Sequence, residues 1–242
     1  MKFGVLYGIG VGPGDPELIS MKGAKILSQC QHVFVPKASC EGDSTALTIA
    51  SRYLTPESQV HELLFPMVTD RKELSRHWEE SAEQIAALVK TGQDACFLTL
   101  GDPLLYSTYI YLLRALRMKN PDIEVITVPG ITAFSAAAAL TEFAVGEGKE
   151  LVTIVPTADD LDAVRKALAS DGTVILMKIG KRLTKILDVI EDAGLMEQAV
   201  FVSHAGQDSQ RTETDLRKLR QAGQEAGYLS IILIHTRGGK TS

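Results

Sequence analysis

The stretch at residues 97–107, FLTLGDPLLYS, carries the strongest signal for the fold of this chain. The apolar run at residues 95–100 predicts a strand, and Gly101-Asp102-Pro103 ends it before a helix that begins near Thr108. In an open α/β sheet, ligands bind just beyond the carboxyl ends of strands, where the strand order reverses. The turn is therefore either an ordinary strand-to-helix connection or one wall of a ligand site.

The composition is that of an ordinary globular protein. The chain has 242 residues, of which 45% are hydrophobic and 23% charged, so it can bury a sizeable core. A formal net charge of −5 without a dense basic run disfavours a broad nucleic-acid-binding face. The N-terminal segment lacks the long apolar core of a signal peptide, and no apolar run approaches the ~18 residues that span a bilayer. We expect a cytoplasmic protein that binds neither nucleic acid nor a membrane.

The cysteines and histidines give no sign of a metal site or a disulfide framework. Cys30, Cys40 and Cys96 form no CxxC pair, and the five histidines show no HExxH spacing. Cys96 lies inside an apolar run, which predicts a packing role. No nucleophilic triad is evident either. We therefore expect no metal ligands, and the residues identify no catalytic acid or base.

Strands alternate with helices along the first half of the chain. Two starts are open for the first helix, because Asp15 before Pro16 and Ser20 are both good N-caps. Asp70 followed by Glu73 resembles a capping box before a long amphipathic helix. Predicted strands lie at residues 3–9, 32–36, 60–65, 95–100 and 124–128, with helices at 21–30, 46–54, 70–92 and 108–118. This order predicts a parallel sheet covered on both faces.

The second half has the same two kinds of element. Predicted strands lie at residues 151–155, 174–178, 200–203 and 229–234. Predicted helices lie at residues 131–143, 159–169, 181–192 and 215–225, and residues 237–242 form a tail. We therefore predict an α/β protein of two α/β domains, residues 1–129 with a parallel sheet and residues 130–242 with a mixed sheet.

The first glycine cluster does not fit a nicotinamide-dependent oxidoreductase. Counting from Gly8 and Gly10, the third glycine of a dinucleotide fingerprint falls on Pro13. The second strand ends at Lys37, where an NAD site has an acidic residue for the ribose. Four turns rich in small residues nevertheless follow predicted strands, at residues 10–15, 101–103, 130–133 and 204–206. Such turns suit a polar ligand of modest charge, and chemistry carried by a reactive cofactor.

Three motifs in order resemble the tetrapyrrole (corrin and porphyrin) methyltransferase family. They are GVGPGDPEL at residues 10–18, GDP at 101–103 and VPGITA at 128–133, and VILMK at 174–178 resembles a strand of the family's second domain. Residues 99–109, 35–37 and 44–47 are similar to the branch that methylates carbon 20 of precorrin-2 in cobalamin biosynthesis. Leu100 stands where a second glycine is frequent, so methylation at another tetrapyrrole carbon remains the alternative. A non-catalytic ligand sensor would share these features.

The resemblance implies a cofactor, a substrate and a set of contacts. S-adenosylmethionine, which leaves as S-adenosylhomocysteine, is expected in a cleft between the two domains of the chain. The chain is also expected to form a homodimer. The cofactor contacts implied are Pro13, Leu100, Gly101, Asp102, Leu105, Thr132, Ala133, Met177, Ala205 and Gly206. The tetrapyrrole substrate carries many carboxylates, so Lys37, Tyr106 and Lys178 are expected to contact it, with Arg52 and Arg71 as further candidate cations. Metal-free and cobalt-bearing substrates both stay open.

Overall fold

A computed structural model describes residues 2–37, 44–65, 70–157, 161–221 and 224–236. The chain divides into two compact units, Met1–Thr132 and Ala133–Ser242. Each unit is an α/β structure built on one five-stranded sheet, which confirms the predicted fold class. Among the residues described, no helix is both long enough and apolar enough to cross a membrane.

The first unit is built on a parallel sheet. Its strands are β1 (Val5–Gly10), β2 (His32–Lys37), β3 (Gln59–Leu64), β4 (Ala95–Thr99) and β5 (Glu124–Val128). Its helices are α1 (Met21–Leu27), α2 (Thr45–Ala50), α3 (Arg71–Val89) and α4 (Tyr109–Lys119). All neighbouring strands are parallel, in the order β3-β2-β4-β1-β5. The carboxyl ends of the inner strands β4 and β1 and of the edge strand β5 therefore lie along one edge of the sheet.

Strand β4 separates two cores in this unit. Phe97 faces a cluster that includes Ile85 of α3. Leu98 belongs to a cluster on the other face that includes Leu27 of α1 and Ile49 of α2. Because successive side chains of a strand point to opposite faces, a run of apolar residues fills both cores at once. The sheet is thus covered on both faces, as predicted.

Two cysteines lie in these cores. Cys96 is completely buried in β4, which confirms its predicted packing role, and Cys30 is a buried free thiol. Cys40 lies outside the described residues.

Both predicted starts of the first helix are used. The Asp15 carboxylate accepts a hydrogen bond from the backbone N–H of Glu17 at 2.8 Å and caps a short 3-10 turn, Pro16–Leu18. Ser20 Oγ accepts from the backbone N–H of Gly23 at 3.1 Å and caps α1. The chain therefore leaves β1 through a loop that side chains hold at two points.

The second unit is built on a mixed sheet. Its strands are β6 (Val152–Pro156), β7 (Thr173–Met177), β8 (Ala199–Ser203), β9 (Arg211–Glu213) and β10 (Ser230–His235). Its helices are α5 (Ala133–Thr141), α6 (Leu161–Leu168) and α7 (Leu183–Asp192). The strand order is β6-β7-β10-β8-β9, in which β6 and β7 are parallel and β10 runs antiparallel to both of its neighbours. Apolar residues of α6, α7 and the sheet form one core.

Two features of this unit differ from the sequence-based expectations. Strand β9 was not predicted, since three polar residues carry no alternation of their own; it pairs antiparallel with β8. The helix expected at residues 215–225 is instead two 3-10 segments, Leu216–Gln221 and Gln224–Gly227. At the second segment, a Cβ on Gly227 would lie 2.0 Å from the Gly180 carbonyl oxygen, so this backbone approaches its neighbour too closely for an ordinary helix surface. The expected tail at residues 237–242 and the first two residues of the helix expected at 159–169 lie outside the described residues.

Candidate functional site

Three turns interlock at the carboxyl edge of the first sheet. They follow β1 at Gly10, β4 at Gly101 and β5 at Gly130. A Cβ on Gly130 would lie 2.1 Å from the carbonyl oxygen of Gly101, and a Cβ on Gly10 would lie 2.6 Å from the same atom. Gly101 also exchanges two backbone hydrogen bonds with Gly12, donating at 2.8 Å and accepting at 3.3 Å. These turns therefore depend on glycine because backbone packs directly on backbone.

Asp102 ties two of these turns together. Its Oδ1 accepts a hydrogen bond from the backbone N–H of Leu104 at 2.9 Å, within its own turn. Its Oδ2 accepts from the backbone N–H of Gly130 at 3.1 Å, in the turn after β5. Both oxygens of the carboxylate thus accept a hydrogen bond from backbone. The geometry assigns Asp102 to the positioning of Gly101 and Gly130.

Two hydrogen-bonded pairs of hydroxyl groups lie behind the turn after β4. Thr99 Oγ1 and Ser107 Oγ are 2.7 Å apart, and Ser107 Oγ accepts from the backbone N–H of Tyr109 at 3.1 Å. The Tyr109 hydroxyl lies 2.8 Å from Thr127 Oγ1 of β5. Burial raises the pKa of Tyr109, which keeps the phenol neutral. Sequence reasoning missed these pairs, although hydroxyl residues within an otherwise apolar segment were a usable signal.

The loop after β1 borders a cavity of about 340 Å³ within the first unit. Its lining residues are Glu17, Leu18, Ile19, Ser20, Pro129, Gly130 and Ile131. The lining is mostly apolar, and Ser20 Oγ is already engaged as the cap of α1. Gly130 belongs both to this lining and to the interlocked turns, so the cavity adjoins them.

Three strained residues share one edge of the second sheet. Lys178 follows β7, His204 follows β8 and Leu229 precedes β10, with φ values of 58°, 50° and 45°. Because β10 runs antiparallel to β7 and β8, its start lies at the same edge as their ends. Left-handed backbone at residues other than glycine cost about 1–3 kcal/mol each and cluster at functional sites. This edge is the candidate site of the second unit.

The expected residues of this edge make specific contacts. The carbonyl of Met177 accepts from the backbone N–H and the hydroxyl of Thr157, at 2.8 and 3.0 Å. The backbone N–H of Gly206 donates to the side-chain oxygen of Gln210 at 2.8 Å. Next to it, Gln207 Nε2 is buried and has no hydrogen-bond partner within the described part of the chain. A buried donor of this kind needs an acceptor, and a bound ligand would supply one.

Of the expected cations, Lys37 is already paired. It lies at the end of β2, and its Nζ donates to both carboxylate oxygens of Glu62 at 3.0 Å. Only 13% of the Lys37 side chain is exposed. Lys178 is exposed and Tyr106 is half-exposed, with Tyr106 in left-handed backbone at φ 52°. The side chain of Arg71 lies outside the described set. The charge of Lys37 is therefore balanced within the protein.

Comparisons with known proteins agree with this architecture. Residues 5–220 match the family Tetrapyrrole (Corrin/Porphyrin) Methylases. The chain belongs to this family. It is 34% identical over 234 residues to the cobalt-precorrin-2 C(20)-methyltransferase of Salmonella typhimurium, covering 96% of each chain. It is 31% identical over 240 residues to the precorrin-2 C(20)-methyltransferase of a Sinorhizobium species, covering 96% of this chain and 95% of that one.

A solved structure shares the fold of this methylase. The X-ray structure of a cobalt precorrin-4 methyltransferase superposes with a TM-score of 0.72 at 23% identity, covering 95% of this chain and 94% of that one. Membership of the methylases removes the nicotinamide-dependent oxidoreductase as an interpretation. It also confirms the resemblance carried by the three motifs.

The residues of this methylase fit S-adenosylmethionine, on which the family depends. Gly10, Gly12 and Gly101 are buried and Gly130 is half-buried, and Leu100 and Leu105 beside them are half-buried and apolar. Gln207 Nε2 is an orphaned donor next to Ala205 and Gly206. Taken separately, each unit offers groups of a kind that a nucleoside without phosphate can bind, apolar side chains in the first and a neutral donor in the second.

No metal is called for by the described side chains of this methylase. Within the described ranges, no group of three or more His, Cys, Asp or Glu side chains is arranged to hold an ion. Any cobalt would belong to the tetrapyrrole as part of the substrate.

Proposed function

We propose that this methylase transfers a methyl group from S-adenosylmethionine to carbon 20 of precorrin-2 or of its cobalt chelate, a step of cobalamin biosynthesis. The observation that carries the proposal is the match to two relatives named for this reaction, each over nearly its full length. The three motifs that carry the family resemblance lie at the interlocked turns of the first unit. The homodimer and the cleft between the domains remain predictions that accompany it.

The chemistry divides between cofactor and protein. When bound, S-adenosylmethionine supplies a methyl group already activated on a sulfonium. The nucleophile is an electron-rich carbon of the reduced tetrapyrrole, so the protein need only orient the two. Correct orientation is worth on the order of 7–11 kcal/mol of activation free energy.

The proposed task of the first unit is to hold its backbone at a fixed position. The Gly101 carbonyl is enclosed by Gly10, Gly12 and Gly130, so it forms part of the scaffold. Asp102 fixes the turn by accepting hydrogen bonds from two backbone N–H groups, one at each oxygen. Leu100 and Leu105 supply apolar surface that excludes water from the reacting groups. Proton loss after transfer is assigned to none of these residues.

The proposal is tested by following a labelled methyl group. The purified protein is incubated with S-adenosylmethionine carrying a ¹³C methyl, and with precorrin-2 or cobalt-precorrin-2 in parallel. We expect NMR to place the label on carbon 20 and mass spectrometry to show the gain of one CH₂. Label at another carbon, or no transfer to either substrate, would overturn the proposal. The faster of the two substrates identifies the metal state that the enzyme prefers.

A further inference from the structure

An exposed arginine stands beside the cavity of the first unit. Arg52 Nη1 lies 3.7 Å from Glu17 Oε1, and Glu17 is the one charged residue among the described residues that line the cavity. The two side chains are 53% and 76% exposed, and their separation is too long for a hydrogen bond. A solvated ion pair of this kind is held weakly and exchanges partners readily.

The neighbouring residue holds Arg52 in this place. The Tyr53 hydroxyl donates to the backbone carbonyl of Pro16 at 2.8 Å, which joins the 3-10 turn Ser51–Tyr53 to the loop after β1. The guanidinium of Arg52 lies 5.7 Å from the centre of the Tyr53 ring, within the range of a cation–π contact. The turn that carries Arg52 is therefore fixed to the loop that borders the cavity.

Arg52 is paired less closely with a carboxylate than Lys37 is. Lys37 makes two hydrogen bonds of 3.0 Å to Glu62 and is nearly enclosed. Arg52 keeps its hydrogen-bonding edge open, and its planar guanidinium can bind a carboxylate through two parallel N–H groups. A tetrapyrrole with acetate and propionate side chains presents such carboxylates.

We propose that Arg52 binds a carboxylate of the tetrapyrrole at the rim of this cavity, and that it exchanges Glu17 for the substrate when the substrate enters. The inference rests on the proposed function and identifies a residue that binds one of the substrate's negative charges. Glu17 then has the opposite effect, because its carboxylate competes for Arg52 and repels the incoming one. The two members of one ion pair should thus move substrate affinity in opposite directions, which a purely structural pair would not do.

The test compares Arg52→Gln, Arg52→Lys and Glu17→Gln in the full-length protein. Binding of precorrin-2 and cobalt-precorrin-2 is titrated by absorbance, KM and kcat are measured, and S-adenosylhomocysteine binding is measured by calorimetry. We expect Arg52→Gln to raise KM and Kd for the tetrapyrrole about tenfold, and Arg52→Lys to restore part of the loss. Glu17→Gln should lower both constants roughly twofold. Affinity for S-adenosylhomocysteine should stay unchanged in all three variants.

A matched control comes from helix α3. Arg76 and Glu80 form a similar exposed pair with a separation of 3.6 Å, and neither is among the residues that line the cavity. Arg76→Gln should leave every constant unchanged. The inference is overturned if Arg52→Gln behaves like Arg76→Gln, or if Arg52→Gln and Glu17→Gln shift tetrapyrrole affinity in the same direction. If the wild-type protein methylates the substrate and Arg52→Gln does so equally well, only Arg52 loses its role. If the wild-type protein neither binds nor methylates either tetrapyrrole, the proposed function falls and this inference falls with it.

Discussion

Replacing Gly130 by alanine tests whether the interlocked turns depend on glycine. The new methyl group would lie 2.1 Å from the Gly101 carbonyl oxygen and 2.8 Å from two backbone atoms of Gly10. Ordinary contact begins at 3.4 Å, so the turns after β4 and β5 must separate by about 1.3 Å. Overpacking costs about 1–3 kcal/mol, and we expect the upper end because backbone on two sides cannot rotate away. A loss of about 3 kcal/mol lowers the melting temperature of a chain of this length by about 6–12 °C.

Circular dichroism on heating and calorimetry with S-adenosylhomocysteine measure the two consequences. We expect Gly130→Ala to lower the melting temperature and to weaken ligand binding, because the Asp102 bond to the Gly130 N–H is displaced with the turn. Gly146→Ala is the matched control, since its nearest neighbour is a methyl group of Val152 at 3.2 Å, which can move. The control should shift the melting temperature by no more than about 2 °C. If Gly130→Ala has the same melting temperature as the wild type and binds S-adenosylhomocysteine equally well, the interlocked turns do not depend on glycine at this position.

Three further predictions concern single contacts. Asp102→Asn should lower kcat without changing the shape of its pH profile, and Asp102→Ala should lower kcat further. If an ionisation disappears from the pH profile of Asp102→Asn, the residue acts as a base instead. Gly8→Ala should destabilise the fold because its methyl group would lie 2.2 Å from the Tyr109 ring. In urea unfolding, the double variant with Tyr109→Leu should lose less free energy of unfolding than the sum of the two single variants. Additive losses would contradict the contact. His61 Nε2 lies 3.1 Å from His32 Nδ1, and burial followed by repulsion from His32 lowers the pKa of His61. The unfolded chain therefore binds the proton more tightly, so the free energy of unfolding should fall as the pH drops below about 6.5. Urea midpoints measured between pH 5 and 8 should fall less steeply in His61→Gln than in the wild type. An unchanged slope would refute this role of His61.

The first sheet could be predicted because most of its signals are local. Strands β1, β2, β4 and β5 are largely apolar runs that end at glycine, proline or a polar residue, whereas β3 also carries His61 and Glu62. Helix caps such as Asp70 mark the next element, and the Asp70 carboxylate accepts from the N–H groups of Lys72 and Glu73, as its spacing predicts. Strand β9 has no such signal, because three residues are too few to show a period. It forms by pairing with the edge of β8.

The site could be predicted in part for the same reason. Gly101 and Gly130 follow parallel strands, so their meeting at one edge follows from topology. The enclosure of the Gly101 carbonyl depends on register, which places Gly10 beside Thr99 and Ile9 beside Val128. The pairing of Lys37 is likewise a matter of register, because Glu62 lies opposite Val35, two residues from Lys37. No pattern along a single segment contains that information.

The placement of β10 has a consequence for synthesis of the chain. This strand is the last in sequence, yet it lies between β7 and β8 and its residues from Ser230 to Ile234 are buried. The second sheet therefore stays split into two unjoined pairs of strands until residue 235 has left the ribosome. The first sheet has all five strands once Val128 is out, so the first unit can fold while the second is still being made. A ribosome that stalls before residue 230 would thus release a folded first unit joined to an open, apolar second half, which is a substrate for chaperones.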